Sequence, residues 1–160
     1  MRIDVNMKRP TTVVGKTRKA VVRLIRDLFL FEAAIMHEVP PTYNHFHLEK
    51  WLEKTMLNKA ERCLIATVEN KVVGVLLNES ADHTAIRVLY VTEAMRGNLI
   101  GETLINLFQR GYPDAQLTVE CLEKNEKALA FYERQGFIFD EPPYEVNGCN
   151  NVKGYYTVNV

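Results

Sequence analysis

The chain has 160 residues, equal numbers of basic and acidic side chains, and an apolar fraction of 47%. These values predict one soluble globular domain over 1–160, with its own core and no need of metals or disulfides. No apolar run approaches the length a bilayer-spanning helix requires.

Cys63, Cys121 and Cys149 are scattered, odd in number and in no CxxC pair. With no signal-peptide pattern, they predict a cytoplasmic protein without a zinc site. Residues 1–26 carry eight Lys or Arg and one acid, Asp4, so the remainder is acidic.

In chain order, residues 1–7 alternate weakly and read as a first strand. Thr17 is the expected N-cap of a long helix whose apolar face carries Val21, Leu24, Leu28, Phe31 and Ile35. The early basic residues fall mainly on its polar side. That favours a solvated face over a targeting segment or a nucleic-acid arm. Val39-Pro40-Pro41 ends the helix. His45-x-His47 is too short and isolated for a metal site. A second helix places Leu48, Trp51, Leu52 and Met56 on one face, with Trp51 read as core.

Residues 62–68 and 71–77 read as a β-hairpin turning at Glu69-Asn70. Residues 78–83 form a polar turn and 84–91 the next strand. The stretch from Val88 to Gly101, VLYVTEAMRGNLIG, then runs from strand through loop into helix. Ile100, Leu104, Leu107 and Phe108 define one face of that helix. A strand feeding a helix through Arg-Gly presents free backbone N–H groups and the positive end of a helix dipole, a site suited to phosphate. Gly97 and Gly101 allow close backbone approach. The loop lacks the Gly-Lys-Ser/Thr of a P-loop and the Gly-x-Gly of a dinucleotide site.

Residues 116–121 read as a strand and 125–135 as a short helix closed by Gly136. Residues 137–139 and 152–158 are the last strands, around a Pro142-Pro143 loop. The order β-α-α-β-β-β-α-β-α-β-β implies a mixed α/β fold with helices on both faces of the sheet.

Two motifs carry a resemblance. The first is Arg96-Gly97-x-x-Ile100-Gly101 after a strand. The second, one strand later, is Asn125-x-x-Ala128, then Tyr132, then Gly136-Phe137. In that order and distance they resemble the GNAT family of N-acetyltransferases, well over residues 60–140 and by element order alone before that. The resemblance implies a mostly antiparallel central sheet of six to seven strands. It implies acetyl-CoA as co-substrate, no metal, and acetyl transfer to an amine by direct attack. Leu99 departs from the pattern, standing where the family often has a glycine. The alternative reading is a non-catalytic GNAT-fold module that binds acyl-CoA or a partner.

By this resemblance the diphosphate rests on the amides of Arg96, Gly97, Asn98, Leu99, Ile100, Gly101 and Glu102, with Arg96 adding charge. Pantetheine runs beside Leu89, Tyr90 and Val91 as an added strand would. Tyr132 is the general acid for the leaving thiolate. Asn125 binds the pantetheine arm or caps its helix. Glu120, opposite in direction to Val119 and Cys121, is the candidate base, with Glu79, His83, Tyr90 and a water chain as rivals. The acceptor is expected near Phe31, Glu38, Tyr43 and Tyr144, where acidic residues favour a cationic small molecule or peptide amine. No nucleic-acid or membrane partner is expected, and the oligomeric state stays open, a homodimer included.

Overall fold

A computed structural model describes residues 1–36, 45–146 and 148–156. Its strands are β1 (Asp4–Lys8), β2 (Ala60–Val68), β3 (Lys71–Glu79), β4 (Ala85–Val91), β5 (Thr118–Leu122), β6 (Phe137–Ile138), β7 (Tyr144–Val146) and β8 (Cys149–Tyr156). The helices are α1 (Gly15–Ile35), α2 (His45–Leu52), α3 (Ile100–Gly111) and α4 (Glu126–Arg134). One sheet holds all eight strands in the order β1-β2-β3-β4-β5-β8-β6, with β7 on β8. Every pairing is antiparallel except β4 with β5. The strand beyond the expected seven is β7. Three residues after two prolines are too few to display an alternating pattern.

Two cores flank the sheet. Leu64, Leu76, Val119 and Cys121 pack under α3 and α4, around Leu104, Phe108 and Tyr132. Ile65, Val75, Leu77 and Val88 pack under α1 and α2, around Val21, Leu24, Ile25 and Leu52. The β2–β3 turn at Glu69-Asn70 has positive φ at both residues, as a two-residue hairpin turn of this hand requires.

A bulge rotates β4. Leu77 pairs with Val88 and Asn78 with Ile86, leaving Arg87 as the extra residue. Ile86 therefore faces α3 while Val88 faces α1. Asn78, expected in a polar turn, is instead fully buried at the end of β3. Its Oδ1 accepts from the Arg62 amide at 2.7 Å, and its Nδ2 donates to the His83 carbonyl at 3.0 Å and to Glu61 at 3.1 Å. Those bonds offset the cost of burying an amide there.

Three local expectations are corrected. Helix α1 starts at Gly15 behind Val14, not behind Thr17, and no side chain caps it. Instead Arg18 reaches back to the carbonyls of Pro10 and Val13 at 2.9 and 3.1 Å, tying the segment before the helix to it. Trp51 is 50% exposed, with its ring edge against Phe29. The chain leaves α2 through a wider π turn at Glu53–Leu57, which sends Leu52 and Leu57 inward and Trp51 outward. Phe31 is 42% exposed, because the buried face of α1 runs through Val21, Val22, Leu24, Ile25 and Ala33. Val39, Pro40 and Pro41, expected to end α1, Glu38 and Tyr43, expected near the acceptor, and residues 157–158 of the last expected strand lie outside the described residues.

Candidate active site

Parallel pairing between β4 and β5 stops after Ala85 with Thr118 and Ile86 with Val119. Beyond it β4 stays with β3 as far as Val91, and β5 stays with β8 as far as Leu122. The two strands therefore part, and among the described residues no strand lies beside the β5-facing edge of β4 along Leu89, Tyr90 and Val91. Unpaired strand edges bind extended chains. Leu89 and Val91 turn toward the α3 core and Tyr90 toward α1.

At the end of that edge stands the glycine loop. The amides of Met95 and Arg96 bond to Thr92 and Glu93, and that of Thr103 bonds to Leu99. Among the described residues no carbonyl accepts from the amides between them, Gly97 through Glu102. They gather at the start of α3, where the helix dipole favours an anion. Leu99 is the N-cap, with φ +61 and ψ +19. A leucine thus holds the left-handed conformation a glycine takes freely, and its side chain is 68% exposed. Arg96 donates from Nε to the Val91 carbonyl at 3.2 Å, and its guanidinium lies 5.4 Å from the Tyr90 ring centre. Part of its role is to brace the loop against β4.

Tyr132 lies in the same core as Leu89 and Val91. On α4 it is buried, edge-on to Phe131 and Phe137 with ring centres 5.4 and 5.5 Å away. Burial, then the nearby Cys121 and Glu32, push its phenol well above the ordinary value. Asn125 caps α4, its Oδ1 accepting from the Ala128 amide at 3.2 Å, and Gly136 closes the helix at φ +103.

Glu120 faces away from Val119 and Cys121, which lie in the α3/α4 core, and it is exposed opposite Lys153. It shares a small polar cavity with Glu79, Arg87 and Thr118. The Tyr144 hydroxyl is buried with the Glu120 carboxylate close by. Burial and the Glu120 carboxylate push it up to about 12. Of the rival bases, Glu79 pairs with Arg87 at 3.6 Å. Tyr90 lies under Arg96, and His83 stacks on Tyr112 before β4 begins, at the opposite end from the loop.

A sequence model of the acetyltransferase (GNAT) domain matches residues 32–153. The chain belongs to the GNAT family. Over 59 residues it is 39% identical to a protein of Mycobacterium tuberculosis described as a probable N-acetyltransferase. That stretch is 37% of this chain and spans about a third, 34%, of the relative. The whole GNAT fold superposes on apo YjaB of Escherichia coli with a TM-score of 0.69, 21% identity and 98% of both chains covered. It also superposes on the PaiA N-acetyltransferase of Thermoplasma acidophilum in complex with coenzyme A. There the TM-score is 0.66 and the identity 14%, over 98% of this chain and 100% of that one. At such identities the structural likeness shows the GNAT fold alone.

Within this GNAT domain two residues are ones that sequence reasoning missed. Arg87 is the bulged residue of β4. Glu32 on α1 is largely withdrawn from water, which raises its pKa above the ordinary 4.5, while Arg87 pulls it back. One signal marked Glu32 beforehand: it is the lone charge in the apolar run LFLFEAAI. Among the described residues no helix is long and apolar enough to cross a membrane.

Proposed function

We propose that the chain is an acetyl-CoA-dependent N-acetyltransferase acting on a cationic amine. One observation supports this reading: a row of amides without acceptors, from Gly97 to Glu102, stands at the end of the open β4 edge, whose Leu89 and Val91 pack in the same core as Tyr132. A doubly charged diphosphate fits the amides, and the pantetheine arm fits the open edge of Leu89, Tyr90 and Val91. The coenzyme A bound to the PaiA relative supports the same cofactor here. Leu99 is compatible with binding, since it takes the backbone conformation of the glycine it replaces and turns its side chain to solvent.

The thioester then lies beside Tyr132. The phenol keeps its proton throughout the physiological range, because burial raises it. It hands that proton to sulfur as the carbon–sulfur bond breaks. A β4 amide at the open edge polarises the carbonyl as negative charge develops on oxygen. Asn125 uses Oδ1 for the cap, which leaves its NH2 group for the pantetheine arm. On the acceptor side the carboxylates of Glu79, Asp82 and Glu120 outnumber the cations Arg87 and Lys153 around the cavity, and that balance favours an incoming ammonium.

The test is thiol release from acetyl-CoA with a panel of polyamines, small amines and peptide N-termini, on the wild type and on Tyr132→Phe. The reading expects release with the wild type, loss with the variant, and thermal stabilisation by CoA but not by ATP or NAD. Stabilisation by CoA without release from any amine favours the non-catalytic binding module. Stabilisation by ATP or NAD alone contradicts both.

A further inference from the structure

Arg87 is out of place in a site that receives only an ammonium. It lines the polar cavity together with Glu79, Asp82, Thr118, Glu120 and Lys153. A guanidinium beside an incoming cation repels it, so a site for a bare amine gains nothing from one. The geometry points to a basic amino acid as the acceptor, with its α-ammonium on Glu120 and its carboxylate on Arg87. This inference rests on the acetyl-CoA reading above.

Arg87 and Glu120 flank the point where the sheet divides. The last parallel pairs are Ala85 with Thr118 and Ile86 with Val119, so these two are the next residues along each strand. Paired strands lie about 4.8 Å apart. That spacing suits an acceptor whose amine and carboxylate sit on one carbon. Arg87 owes its place to the bulge. Leu77 pairs with Val88 and Asn78 with Ile86, and the residue between is left over. Bulges re-aim a side chain beside functional sites. Ile86 and Val88 are buried on either side, while the Arg87 side chain is 46% exposed.

The ion pair of Arg87 leaves its guanidinium available. The contact with Glu79 is 3.6 Å long, and both side chains are nearly half exposed. Arg18 and Arg26 hold Glu53 and Glu49 more tightly, at 2.9 and 2.8 Å. Among the described residues the Arg87 guanidinium makes no hydrogen bond. It is planar, carries five N–H donors and matches a carboxylate through two parallel bonds. Lys153, the other cation, stands opposite Glu120 with its ammonium 5.5 Å from the Tyr155 ring centre.

Glu79 and Asp82 stand at the other end of the cavity, where β3 turns into β4. Asp82 is fixed by Thr84, whose hydroxyl donates to it at 2.7 Å and whose amide donates at 3.2 Å. With Glu120 these carboxylates exceed the two cations by one charge. A basic amino acid has the complementary balance, two cationic groups and one carboxylate. Its side-chain cation meets the turn end, and its α-ammonium is delivered to the fork. A polyamine brings nothing for Arg87, and a peptide N-terminus has its nearest carboxylate masked as an amide.

The acetyl carbon bonds to the α-nitrogen, and its bond to sulfur breaks. Of the two protons the ammonium gives up, one ends on sulfur and one goes to solvent.

L-lysine, L-ornithine and L-arginine, each compared with its carboxamide, test the carboxylate directly. The amide keeps both cations and loses the negative charge. The wild type is expected to prefer at least one free amino acid over its amide by about 10-fold or more in kcat/KM, with the acetyl group on the α-nitrogen. In Arg87→Gln that ratio falls toward one. Arg87→Lys keeps the charge without the paired bonds and falls between. A purely structural role of Arg87 lowers both members of a pair and leaves their ratio alone. A wild type that treats acids and amides alike, or acetylates only side-chain amines, overturns the proposal. So does a ratio that survives in Arg87→Gln.

Binding is read without turnover from the Arg87 side-chain N–H resonance, assigned by its absence in Arg87→Gln. With CoA present it is expected to shift saturably with at least one of the three amino acids and not with its amide. No shift with any of them overturns the proposal. If CoA leaves the amides of residues 97–102 unperturbed, the functional reading fails. The Arg87 resonance, followed without CoA, then still decides whether the cavity takes an amino acid.

Discussion

Gly101 and Phe131 leave each other no spare room: a methyl group on Gly101 would stand 2.9 Å from Cζ of Phe131. The contact joins the first turn of α3, which carries the loop amides, to the helix that carries Tyr132. One glycine therefore sets the distance between the anion site and the phenol.

Gly101→Ala is expected to destabilise the protein although alanine is the better helix former, because the Phe131 ring must shift. Phe131→Leu should relieve the clash. Chemical denaturation of the two single variants and the double should give a coupling of at least about 0.5 kcal/mol. Additive effects would mean that the two helices are not held together at this point.

Leu99 carries the opposite expectation. A leucine at φ +61 costs about 1–2 kcal/mol relative to a relaxed backbone. Glycine removes that strain but gains about 0.4–1 kcal/mol of unfolded-chain entropy. Leu99→Gly should therefore stabilise the fold by up to about 1.6 kcal/mol, read as a rise in the denaturation midpoint, with CoA affinity kept or improved. A destabilised variant would show that the exposed leucine makes a contact of value.

Tyr132→Phe keeps the ring packed between Phe131 and Phe137 and removes only the hydroxyl. Stability and CoA binding should hold, while kcat for thiol release falls about 10²- to 10⁴-fold. Because burial raises the phenol, its ionisation should leave no limb in the pH profile within the physiological range. A fall in CoA affinity without a fall in kcat would assign the hydroxyl to binding.

Glu32 has a stability signature of its own. Its pKa is raised in the folded state, so its contribution is fully present below the ordinary 4.5 and is lost as pH rises through the folded value. Glu32→Gln should match the wild type in acid and equal or exceed its melting temperature at neutral pH. A variant less stable at neutral pH would mark the carboxylate as a structural partner.

Much of the loop and of α4 was legible because both depend on short-range rules. Glycines at fixed offsets, an asparagine at the cap and Gly136 at φ +103 act within a few residues. The two faces of the sheet followed from alternation, and Glu120 does point away from Val119 and Cys121. What escaped depends on contacts distant in sequence. Glu32 on α1 feels the charge of Arg87, the bulged residue of β4, more than fifty positions later. Asn78 is buried because Arg62, Glu61 and His83 satisfy it there. Thr17 lost the capping role at a helix entry tied down by Arg18, and Trp51 turned outward at the end of a helix that runs into a π turn no propensity announces.

The central claim is that the amides of residues 97–102 hold a CoA diphosphate. The most direct test is hydrogen exchange by NMR during a titration with CoA, alongside calorimetry of the same mixture. The account predicts saturable heat, together with slowed exchange and shifted resonances at Gly97 through Glu102, and matching changes along Leu89, Tyr90 and Val91. Unchanged exchange at those amides with no heat would contradict it.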